Sequence, residues 1–432
     1  MPEPAHRDRD GARVSPALLP LRRNRDFVLL QAGQLLSSAG SQSSAIAYPL
    51  LVLAFTHSPA KAGLVGFADL VPFALFGLLA GVAADRWNRK RLMLAADLVQ
   101  TLAITTLVAA IVLHHLTIEL VIVVAFVEGT GASFFSIAST GAMRAVVPPR
   151  QMPTAAGAMQ ARMAIVRLAG PPLGGALFGI ARALPFVVDA ISYVFSIVSI
   201  LAMRTPFQEE RETDTSRLRS QIAEGFRFLW QHPYLRTVAL IFSFSNFVFM
   251  GVMLAVIVIG KRQGLPSGQV GALVAAFGGC AVVGALVSGV FRLYLSMRAI
   301  LLSELWAAAG LAAFVVWPNV YVLVAGLLPQ TLLMPVTDTV LAAYRFAVTP
   351  DRLIGRVASV TRNIAFVIAP LGPLTAGFLL GAVSARATVA LFACISLLLA
   401  VWGTLSPSIR KAPSLDEVLE PGAPPGIDGS LP

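Results

Sequence analysis

The chain contains 432 residues, of which 56% are hydrophobic and only 13% are charged, and its mean hydropathy is +0.77. Soluble domains are about 45–50% apolar and about 25% charged, so this composition excludes a water-soluble globular fold. The net charge of +11 could indicate nucleic-acid binding in a soluble protein, but here we attribute it to membrane topology and anionic lipid. We therefore expect the lipid bilayer, and no nucleic acid, as a partner.

Apolar stretches of about twenty residues alternate with short charged clusters, and about twenty helical residues cross the hydrocarbon core of a bilayer. This pattern predicts an all-α integral membrane protein with twelve transmembrane helices in two pseudo-symmetric six-helix bundles. The predicted spans of the first half are 27–54, 62–84, 92–113, 119–143, 156–181 and 185–203. Those of the second half are 237–260, 268–291, 299–316, 320–344, 356–381 and 387–405.

The spans and the segments between them predict five domains. They are an N-terminal tail (1–25), a six-helix bundle (26–203), a linker (204–236), a second bundle (237–405) and a C-terminal tail (406–432). The linker carries Ile222, Phe226 and Leu229 at helical spacing, which predicts an amphipathic helix on the membrane surface. The C-terminal tail is rich in proline, glycine and acidic residues, and we expect it to be disordered.

The distribution of lysine and arginine predicts the orientation of the chain, because basic residues flanking spans are retained on the cytoplasmic side. With the N-terminus inside, the outer loops receive only Lys61, Arg182, Lys261, Arg262 and Arg386. We therefore predict a multi-pass protein of the cytoplasmic membrane with both termini in the cytoplasm. The apolar run after the basic N-terminus is too long for a signal-peptide core, so we expect an uncleaved tail.

Two spans have side chains suited to a wet or amphiphilic cavity. The first span has a polar stripe at helical spacing, and the seventh combines Asn246 with several phenylalanines, Phe247 among them. A polar stripe on an apolar helix is expected to face a cavity, and an aromatic cavity with few fixed charges suits hydrophobic ligands. Ordinary lipid or helix contact is the alternative for both. The candidate stripe residues are Gln31, Gln34, Ser38 and Gln42.

Three carboxylates lie within predicted spans, where ionisable residues are costly and often functional. Asp69 is in the second span, Glu128 in the fourth and Asp338 in the tenth, and each is a candidate for carrying a proton. The alternative is a structural ion pair or polar contact. Its candidate partners are Arg162, Arg167 and Arg362.

A short internal repeat supports two related halves. The segment 143–149 matches 344–350 at a constant offset, and a second alignment places Asp97 over Glu304. We interpret these two acids as structural partners of the inner loops. Asp189 is predicted near the outer end of the sixth span, where a charge reaches the interface at low cost, so we assign it no function.

The loop between the second and third spans reads Gly-Val-Ala-Ala-Asp-Arg-Trp-Asn-Arg-Lys-Arg from residue 81 to 91. It resembles the signature loop of the major facilitator superfamily, in which glycine is usual where Asn88 stands. We expect Asn88 to preserve the turn because asparagine tolerates left-handed backbone angles. The resemblance implies a conformational latch, whereas the alternative is that these charges only enforce topology. The latch candidates are Gly81, Asp85, Arg86, Arg89, Lys90 and Arg91.

The fifth span carries a glycine and proline cluster: Gly170, Pro171, Pro172, Gly174 and Gly175. Glycine permits close helix packing, and proline removes a backbone donor. The cluster is similar to the motif of the antiporter branches of the superfamily, which implies export rather than import. Helix packing alone is the alternative.

The resemblance extends over nearly the whole chain. The segments 186–190 and 224–229 look like the branch that includes the enterobactin exporter and macrolide-efflux proteins. What this branch implies is proton-coupled export of small amphiphilic molecules such as drugs, macrolides or siderophores. It also implies a monomeric transporter without a cofactor or a metal, working by alternating access of the two bundles. The sequence has no phosphate-binding loop.

Three other functions remain open at this stage. A proton-coupled importer of a sugar or metabolite on the same fold would have a more polar, charged cavity. A scaffold or sensor would have a sizeable soluble extension, which we do not find. An intramembrane enzyme would have histidines within spans, but all five histidines lie in tails, loops or helix ends, so we predict no catalytic residues.

Overall fold

The computed structural model describes residues 20–205, 207 and 218–411. Within these ranges the chain forms helices and contains no β-strand, as the composition predicted. The predicted tails therefore lie largely outside the described residues, as does most of the linker before residue 218. The first six helices are α1 (Arg25–Thr56), α2 (Pro59–Arg86), α3 (Arg89–Val112), α4 (Ile118–Val146), α5 (Met152–Ile180) and α6 (Leu184–Ala202).

The second half repeats this arrangement after a linker helix, α7 (Leu218–Gln231). It is attached to the second bundle, because Glu224 binds Arg352 at 3.3 Å and also pairs with Arg356. The helices that follow are α8 (Pro233–Arg262), α9 (Ser267–Tyr294), α10 (Met297–Ala307), α11 (Ala312–Val316), α12 (Val320–Val348), α13 (Ile354–Val367), α14 (Leu371–Ala382), α15 (Ala385–Leu405) and α16 (Pro407–Arg410).

The ninth and eleventh predicted spans are each interrupted in the structure. The ninth consists of α10 and α11, joined by a 3₁₀ turn at Ala308–Leu311. There the backbone passes so close to α12 that a Cβ on Gly310 would lie 2.3 Å from the carbonyl oxygen of Gly326. The eleventh divides into α13 and α14 just before Leu371, because Pro370 lacks an N–H and its ring crowds the preceding turn.

Eleven helical segments among the described residues are long and apolar enough to cross a membrane. α1 is not among them, because its polar stripe lowers its hydropathy, although its 32 residues would extend about 48 Å at 1.5 Å per residue. α1 packs along α5 and α6 in the first bundle. It therefore occupies the place of the first predicted span.

The most extensive contacts between the two bundles, within the described residues, are made by two helix pairs, α5 with α9 and α2 with α14. We call the end of the molecule where α1 begins the near end, and the opposite end the far end. Both pairs meet through small residues towards the far end. A Cβ added to Gly63 of α2 would lie 2.4 Å from the carbonyl oxygen of Pro373, and one on Gly271 of α9 would lie 2.3 Å from that of Pro171.

The hydrophobic core also connects the two bundles towards the far end. One cluster contains residues of both bundles, such as Leu51 and Val252, and lies in the far half. At the near end the bundles have separate clusters, one around Phe27 and Met143 and another around Tyr234 and Tyr344. Because buried apolar contact joins the bundles only in the far half, the described structure is closed at the far end and open at the near end.

Within the first bundle, α2 and α4 pack at backbone distance. A Cβ on Gly129 of α4 would lie 2.0 Å from the carbonyl oxygen of Asp69, and backbone cannot swing aside as a side chain can. We expect Gly129→Val to destabilise the protein by about 1–3 kcal/mol through overpacking, measured as a lower midpoint of thermal unfolding in detergent. Gly157→Val is the control, since no atom lies within 4 Å of its added Cβ; equal midpoints for the two variants would contradict this packing.

Candidate functional site

The first bundle encloses a cluster of carboxyl and phenol groups around Glu128 of α4. The Glu128 side chain is only 5% exposed. Tyr48 of α1 donates a hydrogen bond to Glu128 Oε2 at 2.5 Å, and Tyr193 of α6 donates to Oε1 at 3.0 Å. Both tyrosines are buried, so the two hydroxyl donors have no competing solvent. Three helices thus converge on one carboxyl group.

Asp189 of α6 lies beside Glu128 and is completely buried. Its Oδ1 accepts from Ser41 at 3.4 Å and from Ser192 at 3.3 Å. Its Oδ2 is buried and has no hydrogen-bond partner among the described residues. The carboxyl groups of Asp189 and Glu128 are within hydrogen-bonding reach of each other. Two carboxyl oxygens can bond only when one of them carries a proton.

Glycine residues set the spacing of this carboxyl cluster. A Cβ on Gly40 of α1 would lie 2.8 Å from Asp189 Oδ1, so Gly40 lets α1 approach the acid closely. Gly129, next to Glu128, brings α4 against the backbone of Asp69 on α2. Asp69 is partly exposed and lies within electrostatic range of Glu128. The three acids therefore form one cluster from α2, α4 and α6.

No basic side chain forms an ion pair with Asp69, Glu128 or Asp189 among the residues that the structure describes. Adjacent carboxylates repel each other, and burial removes the water that would otherwise stabilise their charges. A buried Glu128–Asp189 pair therefore cannot bear two full negative charges at low cost. The chemistry available to this cluster is the uptake and release of a proton.

Sequence reasoning selected Asp69 and Glu128 but missed Asp189 and the two tyrosines. Asp189 was assigned to the outer end of its span, where a charge reaches water. In the structure its helix begins at Leu184, and the preceding loop does not expose it. Tyr48 lies six residues beyond Gln42, on the predicted polar helix. Extending the polar stripe beyond Gln42 would have identified Tyr48 from the sequence.

Asp338 on α12 lies apart from the carboxyl cluster, in the second bundle. It is exposed, and the charges of Arg167 on α5 and Arg345 on α12 act on it electrostatically. Because Arg167 belongs to the first bundle, this charge contact crosses between the bundles. Arg362 on α13 is also exposed. The sequence named Arg162 and Arg362 as further possible partners of the acids, but among described residues Arg162 binds amide oxygens instead.

The polar stripe of α1 divides into two parts. Arg162 of α5 donates a hydrogen bond to Gln31 Oε1 at 3.0 Å and another to Gln34. Gln42 contacts α5, since a Cβ added to Gly170 would lie 2.6 Å from the Cβ of Gln42. Ser38 is half-buried. The first part of the stripe therefore serves as a polar junction between α1 and α5, with an arginine at its centre.

The two candidates on α8 face different surroundings. Asn246 is 5% exposed and donates through Nδ2 to the carbonyl oxygens of Phe242, at 3.0 Å, and Ala365, at 3.1 Å. Phe247 packs against Phe392 with ring centroids 5.8 Å apart and the ring planes tilted by 55°. Phe247 thus packs within the second bundle, whereas Asn246 borders a small internal cavity.

Two basic residues of the 81–91 loop, Arg89 and Lys90, are anchored within the first bundle. Lys90 Nζ donates to the carbonyl oxygens of Met203, at 2.7 Å, and Leu201, at 3.4 Å, at the end of α6, where a cation is favoured by the helix dipole. Arg89 Nε donates to the carbonyl oxygen of Ala84 at 3.1 Å. Arg86 and Arg91 are exposed. The side chain of Asp85, on which the latch hypothesis depends, lies outside the described residues.

Asn88 acts differently from our expectation. Its φ is −60°, not left-handed, and its side chain accepts a hydrogen bond from the backbone N–H of Arg91 at 3.1 Å. It therefore caps the N-terminus of α3. At Gly81, the first residue of the 81–91 segment, an added Cβ would meet no atom of the described residues within 4 Å, so this glycine does not bring two helices together.

The glycine and proline cluster of α5 packs against two helices. Gly170 and Gly174 face α1, where a Cβ on Gly174 would lie 2.4 Å from the carbonyl oxygen of Ser43. Gly175 faces α9 of the other bundle, with a corresponding distance of 2.4 Å to the carbonyl oxygen of Ser267. α5 stays continuous through Pro171 and Pro172. The cluster thus forms part of the contact that closes the far end.

Asp97 and Glu304 are not partners of the inner loops, and that interpretation was wrong. Asp97 is fully buried and Glu304 is 3% exposed. Both oxygens of Asp97, and Oε2 of Glu304, have no hydrogen-bond partner among the described residues. They do occupy corresponding places, on α3 and on α10, as the repeat predicted.

Comparison with known proteins identifies the family. A family model described as transmembrane secretion effector matches residues 15–424. The chain is 27% identical over 403 residues to the multidrug efflux pump Tap of Mycolicibacterium fortuitum, covering 89% of this chain and 96% of that protein. It is 25% identical over 368 residues to macrolide efflux protein A of Streptococcus pyogenes, covering 80% of this chain and 87% of that protein.

Solved structures have the same fold. A bacterial homologue of the human lysosomal transporter Spinster, in an inward-facing and unoccupied conformation, matches with a TM-score of 0.72 at 17% identity, covering 91% of this chain and 98% of that one. A bacterial homologue of the iron transporter ferroportin, in an inward-facing state, matches with a TM-score of 0.65 at 15% identity, covering 89% of this chain and 99% of that one. At these identities the likeness establishes the fold alone.

Proposed function

Since the chain belongs to the transmembrane secretion effectors, a branch of the major facilitator superfamily, we propose that it exports drug-like amphiphiles in exchange for protons. Membership makes it a secondary transporter and not an enzyme. Its drug-efflux relatives support export, and the macrolide and multidrug pumps among them support an amphiphilic substrate. The observation that carries the proton coupling is the buried Glu128–Asp189 pair.

The Glu128–Asp189 pair has the properties that a proton carrier requires. Asp189 Oδ2 has no hydrogen-bond partner among the described residues, and the Asp189 carboxyl group lies beside that of Glu128. A proton shared by the two carboxyls would remove one charge from the bundle interior. Tyr48 and Tyr193 supply hydrogen bonds to Glu128 that stabilise its charged form. The pair therefore alternates between two states that differ by one proton.

The near end is the cytoplasmic end in our proposal. Basic residues at the near end include Arg22, Arg86, Arg91, Arg150 and Arg410, and lysine and arginine are retained on the cytoplasmic side. The state described here would then be inward-facing, open to substrate from the cytoplasm or the inner leaflet. The proposed direction, export, is supported by the relatives and by the α5 cluster.

The proposed cycle has two coupled steps. Substrate entering from the near end favours release of the shared proton to the cytoplasm and separation of the far-end contacts. A proton from outside then binds the Glu128–Asp189 pair and favours return to the state described here. One chain supplies both bundles, so the proposed working unit is a monomer. Asp69, on the exposed side of the cluster, is the proposed route between the pair and water.

Everted membrane vesicles test this function, because they expose the cytoplasmic face to the medium. An imposed gradient, acidic inside, is expected to drive accumulation of labelled erythromycin, and adding erythromycin is expected to release protons into the medium. A protonophore should abolish both. A siderophore and a sugar are tested in the same way. Accumulation of sugar in right-side-out vesicles, without any response to amphiphiles in everted ones, would contradict export and support import.

A further inference from the structure

The second bundle contains a small cavity that the proposed proton exchange does not use. It lies between α8, α10 and α12, and its volume is about 10 Å³, close to the least that holds one water molecule. Two phenylalanines and a methionine close one part of its wall. The polar part consists of five side chains: Ser245, Asn246, Glu304, Gln330 and Thr331.

One carboxyl oxygen at this cavity is buried without a partner in the described part of the chain. Glu304 is 3% exposed, and its Oε2 is buried without a hydrogen bond to any described residue. Gln330 is 8% exposed, and its amide likewise forms no hydrogen bond with the described part of the chain. Buried carboxyl groups are almost always paired, so the unpaired Glu304 oxygen indicates a missing occupant.

The remaining polar lining residues carry oxygen atoms that can accept a hydrogen bond or bind a cation. Asn246 uses its Nδ2 twice, for the carbonyl oxygens of Phe242 and Ala365, which leaves Oδ1 as its free group. Thr331 donates its hydroxyl proton to the carbonyl oxygen of Leu327 at 3.0 Å, so its oxygen lone pairs stay available. The cavity is therefore surrounded by oxygen atoms that can accept or ligate, with one formal negative charge.

We propose that this cavity binds one monovalent cation, with Na⁺ as the probe, held by Glu304 and by the side-chain oxygens of Gln330, Asn246, Thr331 and Ser245. Hard cations prefer carboxylate, amide and hydroxyl oxygens. One carboxylate balances a single positive charge, whereas divalent sites recruit more acid. The volume accommodates a dehydrated ion rather than a hydrated one.

Asp97 is the matched comparison inside the same molecule. It occupies the corresponding position in the first bundle and is also buried without a described partner. It does not line this cavity. Removing its charge perturbs the interior to a similar degree but leaves the proposed ligands intact.

Binding of ²²Na⁺ to the purified full-length protein, measured by scintillation proximity, tests the proposal at equilibrium and without any gradient. We expect saturable binding of about one Na⁺ per chain, displaced by unlabelled Na⁺. Glu304→Gln should weaken binding at least tenfold, whereas Asp97→Asn should leave it unchanged. If Glu304→Gln does not fold, Gln330→Leu replaces it, with weakened binding expected because one ligand is lost and the carboxylate remains.

Three results would overturn the proposal. They are the absence of saturable ²²Na⁺ binding in the wild type, binding that survives both Glu304→Gln and Gln330→Leu, and equal loss in Asp97→Asn. The first would mean that the cavity holds water or that Glu304 is protonated. The binding assay does not involve export. An absence of Na⁺ binding would therefore not contradict the proton-exchange proposal, and an absence of erythromycin transport would not contradict the ion site.

Discussion

Glu128→Gln is expected to abolish proton-driven accumulation of substrate in everted vesicles, with a fall of at least tenfold. Glutamine preserves the size of the side chain. Its Oε1 can accept a hydrogen bond from one of the two tyrosines, and its Nε2 can donate to the hydroxyl oxygen of the other. It cannot release a proton, so the pair with Asp189 loses one of its two charge states. A general acid or base residue contributes about 10²–10⁴-fold in enzymes, and coupling that depends on one exchangeable proton should be no less sensitive.

The matched control for this prediction is Glu119→Gln. Glu119 lies on the same helix as Glu128, in its first turn, and is exposed. It should retain accumulation close to wild type. Passive movement of substrate down its own gradient should persist in Glu128→Gln but lose its dependence on pH. If accumulation in Glu128→Gln equals that of Glu119→Gln, the proton is carried elsewhere, and Asp69 and Asp338 become the next residues to examine.

Asp189→Asn tests whether the Asp189 and Glu128 carboxyls share one proton or act independently. Residues in one hydrogen-bonded network give non-additive effects when both are changed. If the proton is shared, Asp189→Asn should reduce accumulation as strongly as Glu128→Gln, and the double variant should be no worse than either single one. Additive losses would mean that the two carboxyls act independently.

The sequence predicted the fold because apolar length alone determines a membrane helix. Apolar stretches of about twenty residues located the helices to within a few residues at most boundaries. The charged clusters between them marked where one helix ends and the next begins. The breaks in the ninth and eleventh spans were missed. A proline within a membrane helix does not always interrupt it, since α5 continues through Pro171 and Pro172 whereas the chain breaks before Leu371.

The carboxyl cluster was only half predictable for a different reason. Hydropathy identifies an acid inside a span but not the direction of its side chain or its neighbours from other helices. Glu128 was found because it lies mid-span, while Asp189 was discounted because of its distance from the span end. Their contact depends on how closely α4 approaches α6, and a single sequence does not contain that distance.

The α5 cluster predicts a conformational effect that is independent of the proton site. In the state described here, Gly175 of α5 lies against α9, and its added Cβ would be 2.4 Å from the carbonyl oxygen of Ser267. Real Cβ atoms do not approach backbone oxygen that closely, so a larger residue must separate the two helices. Because α5 and α9 belong to different bundles, this separation opens the far end.

Gly175→Val is therefore expected to shift the protein towards the far-end-open state. An overpacking cost of about 1–3 kcal/mol on the closed state corresponds to a change of about 5- to 150-fold in the ratio of the two conformations. Spin labels on cysteines replacing Arg182 and Arg386, two exposed residues at the far end, report the separation of the bundles. The background chain carries serine in place of Cys280 and Cys394, the free cysteines of the described part.

Gly179→Val provides the control from the same helix, one turn further along, where no atom lies within 4 Å of an added Cβ. Pulsed electron paramagnetic resonance should give the wild-type distance for Gly179→Val and a longer one for Gly175→Val. Gly271→Val, which approaches the contact from α9 at 2.3 Å from the carbonyl oxygen of Pro171, should reproduce the longer distance. If Gly175→Val and Gly271→Val both keep the short distance, the bundles do not separate at this contact. The opening movement would then have to occur at the α2–α14 pair alone.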